Sequence, residues 1–215
     1  MILFPVIINS NLKVAPDAYV LSFARSFEFQ PGQVIGLSFG EADQPRLYSI
    51  ASGNHEDVVR ILYKVNPLGQ FTPGLSRLKP GDTIFSTSPF GQFLGDNQPA
   101  VWVATGTGIA PFASMFFSGL ACKKILIQGN RFVSGLYFKD QIQQSMGNRY
   151  IPTCTRERID GIFFGRVQNF LEEWQELDIS VKYYLCGSSE MVVGVRDLLI
   201  AKGVPFERVV AEIFF

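Results

Sequence analysis

In the segment 46-RLYS-49 a guanidinium, a phenol and a hydroxyl fall together, as Arg46, Tyr48 and Ser49. A cation suits a phosphate, and an aromatic face suits a planar heterocycle. A hydroxyl can donate or accept a hydrogen bond at the edge of such a ring. Strict strand alternation would send Tyr48 and Ser49 to opposite faces, so both meet one ligand only where the strand twists or ends. A second stretch, 105-TGTGIAP-111, follows an apolar strand and opens a helix. Gly106 and Gly108 let the backbone approach a ligand, and a helix N-terminus offers free N–H groups and positive dipole to a pyrophosphate. Pro111 is tolerated in the first helical turn. It stands where the GxGxxG fingerprint would carry its third glycine, so a plain tight turn also accounts for these residues. Arginines follow in 129-GNR-131, 155-TRE-157 and 165-GR-166. At strand ends Arg131, Arg156 and Arg166 could clamp a phosphate bidentately; scattered along a surface they would merely be solvated.

Two kinds of element must position these groups. VIINSNL, AYVLSFA, QVIGLSF, RLYSIAS, VVRILYKV and DTIFSTS are short, rich in β-branched and aromatic residues, and separated by Gly, Pro, Asp and Asn. They predict a six-stranded antiparallel β-barrel, with one helical turn at 73-PGLSRL-78. From AVWVAT onward the period changes. KKILIQG, RYIPTCT, KYYLCGS and the closing RVVAEIFF read as strands. Between them lie helices beginning near Pro111 and over LYFKDQIQQ, RVQNFLEEWQ and EMVVGVRDLLIAK, which predicts a parallel sheet with helices on both faces. Ser188 is the expected N-cap of the last helix and Gly203 its C′ residue. The polar stretch 95-GDNQPA-100 marks the seam. The expected class is α+β in two domains: residues 1–97 as the barrel and 98–215 as a Rossmann-like α/β domain.

The totals narrow the function. Lys+Arg and Asp+Glu each number 19 in 215 residues, so nothing favours nucleic acid or an anionic membrane as partner. A 47% hydrophobic chain is rich enough for two sizeable cores. Cys122, Cys154 and Cys186 lie far apart and, with His55 the single histidine, form no iron–sulfur or zinc pattern. They read as reduced thiols of a cytoplasmic protein. MILFPVIINSNLKV lacks the basic region and cleavage site of a signal peptide, and reads as an opening strand.

Taken in order, 46-RLYS-49, 69-GQFT-72, 105-TGTGIAP-111, 155-TRE-157, 165-GR-166, 186-CGSSEM-191 and 211-AEIFF-215 resemble the ferredoxin–NADP+ reductase family, in particular its bacterial ferredoxin/flavodoxin-reductase branch. The likeness runs from Arg46 to Phe215. It implies FAD on the barrel. Arg46 would pair with the pyrophosphate, Leu47 would lie alongside, Tyr48 would pack on the isoalloxazine, and Ser49 would reach flavin N5. Gly69, Gln70, Phe71 and Thr72 would form a second pyrophosphate grip, with Tyr63 and Lys64 near the ribityl chain and pyrophosphate. For NADP(H), the resemblance assigns Thr105, Gly106, Thr107, Gly108, Ala110 and Pro111 to the pyrophosphate and ribose side. It assigns Arg131, Arg156 and Arg166 to the 2′-phosphate, implying NADPH over NADH; Glu157, beside Arg156, is the type of residue that would argue the reverse by holding a ribose hydroxyl. Cys186, Gly187 and Met191 would lie near the nicotinamide.

The same resemblance places Phe214 on the second flavin face, Phe215 against a folded-back adenine, and Glu212 as a carboxylate near the nicotinamide. Relatives carry Tyr or Trp at the tail, so Phe214 and Phe215 keep the ring without its polar handle. The implied activity is hydride transfer from NADPH to flavin N5, then single electrons to a ferredoxin or flavodoxin. Ser49, Glu212, Cys186 and Phe214 are the catalytic candidates, Phe214 also as a gate. A monomer is expected. The alternatives are a free-flavin reductase or the reductase component of an oxygenase with the same cofactor chemistry, and a nucleotide-sensing subunit without turnover.

Overall fold

The computed structural model describes residues 2–175 and 177–214, the Phe214 side chain excepted. The chain forms two compact units, Met1–Gly95 with Ala110–Ser118, and Asp96–Ile109 with Gly119–Phe215.

The first unit is built on β1 (Leu3–Ala15), β2 (Ala18–Ala24), β3 (Val34–Ser38), β4 (Arg46–Ser49), β5 (Val58–Lys64) and β6 (Thr83–Thr87). The sheet order is β4-β3-β6-β1-β2-β5, with antiparallel neighbours throughout. β1 is long because it serves two partners. Leu3–Ile7 pair with β6, and from Ile8 onward it pairs with β2 through register shifts at Ile8/Ser10 and Lys13/Ala15. Such irregularities bend a strand and raise its twist. The bend brings the outer strands together: Ile50, just past β4, bridges Ile61 on β5, and the Ala51 N–H donates to the Arg60 carbonyl at 2.8 Å. The barrel-like sheet closes around Ile8, Leu21, Phe23, Ile35, Leu37, Ile50, Ile61 and Ile84.

Helix α1 (Phe71–Leu75) and helix α2 (Ala110–Phe117) belong to this unit. α1 begins two residues before the expected 73–78 turn. α2 is held by Phe93 against Phe112 at 5.6 Å, by the Arg60 guanidinium over the Phe117 ring at 4.7 Å, and by the Asn54 N–H on Ser118 Oγ at 3.0 Å.

The second unit contains β7 (Ala100–Thr105), β8 (Lys124–Asn130), α3 (Lys139–Met146), β9 (Tyr150–Cys154), β10 (Phe163–Phe164), α4 (Val167–Glu173), β11 (Lys182–Ser188), α5 (Ser189–Ala201) and β12 (Val209–Phe214). All neighbours in the order β10-β9-β8-β7-β11-β12 are parallel. The chain winds outward from β7 to β10 and then returns to the other side of β7 with β11. That reversal is a topological switch point, where ligands of doubly wound sheets bind at the strand carboxyl ends. α4 and α5 pack Val167, Leu171, Val192, Val195 and Leu199 against Val101, Val103, Ile127, Tyr183 and Leu185. Ser188 Oγ accepts from the Met191 N–H at 3.4 Å, and Gly203 follows the last helix at φ +92°.

Local geometry moves two boundaries and adds one strand. A 3-10 turn over Gly106–Ile109 precedes α2, so the helix expected near Pro111 opens at Ala110. The helix expected from Leu136 starts at Lys139, because Phe138 at φ 61° interrupts the turn before it. β10 is only two residues long and has no legible alternation. Among the described residues, no helix is long and apolar enough to cross a membrane. Ile61 is wholly buried where the barrel closes. Ile61→Ala should lower the stability of the barrel unit by about 2–5 kcal/mol, measured by chemical denaturation followed by far-ultraviolet circular dichroism.

Candidate functional site

β4 is an outer strand of the barrel sheet, and its residues grade from exposed at Arg46 to buried at Ser49. Its pairing to β3 places Arg46 opposite Leu37, Tyr48 opposite Ile35 and Ser49 opposite Val34. The strand ends at Ser49, which relaxes the alternation that would hold Tyr48 and Ser49 on opposite faces. Arg46 makes no ion pair with a described residue. Leu47 is 57% exposed, whereas Ser49 is buried.

An aromatic group braces Tyr48. Its ring lies 6.2 Å from Phe71 at 30° and 6.4 Å from Tyr63 at 75°. Tyr63 stacks in turn on Tyr19 at 5.6 Å, and Phe71 on Phe39 at 4.7 Å. Burial pushes the Tyr48 phenol up to about 12, and the Arg46 charge opposes that rise without cancelling it. The phenol is therefore neutral through the physiological range. Tyr63 is a core residue at 1% exposure, its hydroxyl donating to Asn11 Oδ1 at 2.9 Å. Lys64, on the same strand, faces Asp17 at 2.8 Å.

The loop ahead of α1 is an Asx turn. Asn66 Oδ1 accepts from the Leu68 N–H at 3.1 Å, and the Gly69 N–H donates to the Asn66 carbonyl at 3.0 Å. Thr72 Oγ1 accepts from the Asn66 N–H at 2.9 Å, which leaves its own proton available to an acceptor. Gln70 caps the helix, and the N–H groups of Phe71 and Thr72 open its first turn, where no intrahelical partner exists. An arginine without a carboxylate, a braced ring, a hydroxyl proton and free N–H groups fit a flavin carrying a pyrophosphate.

In the second unit, backbone proximity dominates. A Cβ on Gly108 would stand 2.3 Å from the Cys186 carbonyl oxygen, and one on Gly187 would stand 2.3 Å from Thr105 Oγ1. The turn after β7 and the end of β11 thus meet, at the switch point, in contacts that leave no room for a Cβ at either glycine. Thr107 lies in the 3-10 turn, and Met191 in the first turn of α5. Cys186 pairs in register with Ala104 on one side and Glu212 on the other. Burial, and after it the Glu212 carboxylate, pushes its thiol well above the ordinary range. It is a neutral thiol, not a thiolate nucleophile.

The arginines leave the same sheet edge. Arg131 follows β8, Arg156 follows β9, and Arg166 immediately precedes α4. All three are exposed, and neither Arg131 nor Arg156 pairs with a carboxylate among the described residues. Arg166 meets Glu190 at 2.7 Å, a pair open to solvent on both sides and hence weakly held. Glu157 Oε2 accepts the Val133 N–H at 2.6 Å. One oxygen of its carboxylate is thus engaged with protein backbone on the neighbouring loop. Two guanidinium groups without a carboxylate partner among the described residues, on the sheet edge that also carries the glycine turn, fit an anionic dinucleotide with an additional phosphate. The expectation for Phe215 lies outside the described residues, as does that for the Phe214 side chain.

Sequence reasoning missed Phe39, Asn11 and Asn66. Phe39 was indistinguishable from a core strand residue, and Gly74 leaves it room, since a Cβ there would lie 2.9 Å from its ring. Asn11 holds α1 through the Leu75 and Leu78 carbonyls, at 2.9 and 3.1 Å, while receiving the Tyr63 hydroxyl. No local signal marks such a long-range role. Asn66, ahead of 69-GQFT-72, had a legible signal as a turn residue.

No family model matches the chain. Reductase component 1 of terephthalate 1,2-dioxygenase from Comamonas sp is 30% identical over 228 residues, spanning 96% of this chain and 67% of its own. Ferredoxin–NADP reductase B from Sorangium cellulosum is 31% identical over 228 residues, spanning 93% of this chain and 92% of its own. A crystal structure of a ferredoxin NADP+ reductase from Neisseria gonorrhoeae with bound FAD and NADP has the same fold. Its TM-score is 0.91 over 100% of both chains, at 22% identity.

Cys122 is exposed, whereas Cys154 and Cys186 are buried. A thiol-disulfide reagent should therefore modify one cysteine quickly in the native protein. Cys122→Ser should abolish that fast phase, and Cys186→Ser should leave it intact.

Proposed function

This chain belongs to the ferredoxin–NADP+ reductase family, and we propose from that premise that it is an FAD-dependent oxidoreductase moving electrons between NADP(H) and a one-electron carrier protein, a ferredoxin or a flavodoxin. The observation that carries the NADP(H) side is the pair Arg131 and Arg156, without a carboxylate partner among the described residues, at the sheet edge that also bears the glycine turn. On the flavin side the reading is supported by Tyr48, braced by Phe71 and Tyr63 and followed at the end of β4 by Ser49.

Held by Arg46, Tyr48, Ser49 and Thr72, FAD would supply the redox chemistry that links a two-electron nicotinamide donor to a one-electron carrier. The chain's own residues bind, orient and tune. Arg46 supplies countercharge to a pyrophosphate at an exposed strand end, a charge-assisted contact that contributes roughly 1.5–3 kcal/mol. Thr72 donates its hydroxyl proton, and the opening N–H groups of α1 add backbone donors. The neutral Tyr48 ring offers its face to the isoalloxazine, worth about 0.5–1.5 kcal/mol beyond area burial. Ser49, buried where β4 stops, presents a hydroxyl at the rim of that platform.

In the second unit, Gly106, Thr107 and Gly108 admit the dinucleotide pyrophosphate to the backbone. Arg131, Arg156 and Arg166 hold the 2′-phosphate, Arg166 exchanging Glu190 for it. Cys186 serves as a compact neutral wall beside Gly187, and its cross-strand neighbour Glu212 sets a carboxyl group at the same strand level.

A second reading is favoured by the terephthalate dioxygenase relative: the chain would be the flavin and nicotinamide portion of an oxygenase electron-transfer system. Reduction of a ferredoxin or flavodoxin by the FAD-loaded chain, read by coupled cytochrome c reduction, separates the two. Efficient turnover with either carrier supports the reductase; turnover only with an oxygenase partner supports the second reading.

Mixed anaerobically with NADPH, the FAD-loaded protein should lose its flavin absorption band fast, and with NADH slowly. Equal rates would overturn the 2′-phosphate assignment, and failure to take up FAD would overturn the flavin site. Arg156→Ala should narrow the NADPH over NADH preference in kcat/KM by about tenfold or more, since an alanine leaves the phosphate one guanidinium short.

A further inference from the structure

We propose that Glu157 is a positioning residue for the 2′-phosphate, acting through the loop that carries Arg131. The inference rests on the assignment of Arg131 and Arg156 above. Both arginines are exposed, flexible side chains on connections between elements, and such loops do not by themselves hold two guanidinium groups at the spacing one phosphate needs. Here the two loops are stitched together. The Thr155 N–H donates to the Asn130 carbonyl at 3.2 Å, and the Arg156 N–H to the Arg131 carbonyl at 2.9 Å. The Cys154 thiol also reaches the Arg131 carbonyl, at 3.0 Å. These bonds fix the backbones at the arginines themselves, and none of them ties residues 132–135 to the second loop.

Glu157 supplies the remaining tie. Its carboxylate accepts the Val133 N–H at 2.6 Å, across 24 positions of sequence. Val133 opens the short 3-10 turn Val133–Gly135, and Phe132 before it is extended at φ −125° and ψ 150°. The first N–H groups of such a turn have no partner inside it, and no side chain of the turn's own N-cap takes this one. A carboxylate from the neighbouring loop fills that role with a short, charge-assisted bond. From within, Asn130 completes the loop by donating from Nδ2 to the Gly135 carbonyl at 2.8 Å and accepting the Arg131 N–H at 2.7 Å. The segment 130–135 is thus folded around Asn130 and pinned from outside by Glu157. Arg131 lies on the pinned segment, and Arg156 is the immediate neighbour of the pin. The acidic residue whose type alone argues against 2′-phosphate binding is the one that aligns the two cations for it.

The test compares 2′,5′-ADP with 5′-AMP, which differ only in the 2′-phosphate, by calorimetric titration of the FAD-loaded full chain. Wild-type protein should bind 2′,5′-ADP more tightly. Glu157→Ala should narrow the affinity ratio by about tenfold. Glu157→Gln, whose amide oxygen still accepts the Val133 N–H, should keep the ratio within about twofold. Val133→Pro deletes the donor from the other side at a position where proline suits the first residue of a turn, and should reproduce the alanine effect. Asp160→Ala removes a nearby exposed charge without touching the tie and should leave the ratio unchanged. A tie that only held the fold would weaken both ligands equally, and that outcome overturns the proposal. So does an unaltered ratio in both Glu157→Ala and Val133→Pro while wild type still discriminates, the arginine assignment then standing. A wild-type protein that fails to distinguish the two ligands removes the arginine assignment itself, and the proposal with it.

Discussion

The second unit depends on one close approach, that of the turn after β7 to the end of β11. Gly108 meets the Cys186 carbonyl and Gly187 meets the Thr105 hydroxyl so closely that neither could carry a Cβ. Because the strands diverge from β7 in both directions, this is also where a crevice opens at the carboxyl edge. A side chain in either place would force β7 and β11 apart and fill the space a ligand backbone contact requires. The parallel arrangement adds a second consequence. With every strand running the same way, the loops after β8 and β9 must emerge on that same edge, and their arginines with them.

In the barrel unit the comparable constraint is closure. β1 must bend to serve β6 and β2, and only then do Ile50 and Ile61 meet. The residues beside that seam are those with chemistry to offer. β4 is short and outermost, so Arg46 and Leu47 are exposed while the strand's last residue turns inward. The aromatic brace from Phe39 through Phe71 to Tyr48 is carried by a five-residue helix, which Asn11 anchors by two carbonyl bonds. A polar residue on the longest strand thus controls the orientation of the ring platform.

Charge is treated differently in the two units. Arg46 acts near a phenol that burial keeps neutral, so the barrel site presents one cation against a flat aromatic face. The second unit gathers several cations on loops, where the difficulty is alignment rather than countercharge. Backbone bonds between adjacent loops, and the Glu157 carboxylate on the Val133 N–H, meet that difficulty. Cys186 is buried beside a carboxylate, two influences that both oppose ionisation, which makes it a packing and polarity element.

By itself the sequence determined the periodic elements. Alternating β-branched and aromatic residues specified β1–β6. Strand–helix alternation specified the parallel sheet, and the Ser188 cap and Gly203 turn specified the ends of α5, because each of these is a local property of backbone and neighbouring side chains. It also determined the candidate chemistry at Arg46, Tyr48, Arg131 and Arg156, since cations and rings declare themselves by type. Only the tertiary structure decided what those groups are bonded to. Tyr63, a ligand candidate by resemblance, is a core ring whose hydroxyl is tied to Asn11, and Glu157, an acidic neighbour of Arg156 in sequence, accepts an N–H that opens a turn on another loop. β10 and the grouping of α2 with the barrel were likewise undetermined, because a two-residue strand has no period and helix α2 is grouped by its partners, Phe93 and Arg60, far away in the chain. Local propensity writes the elements; contacts between residues distant in sequence assign them their roles.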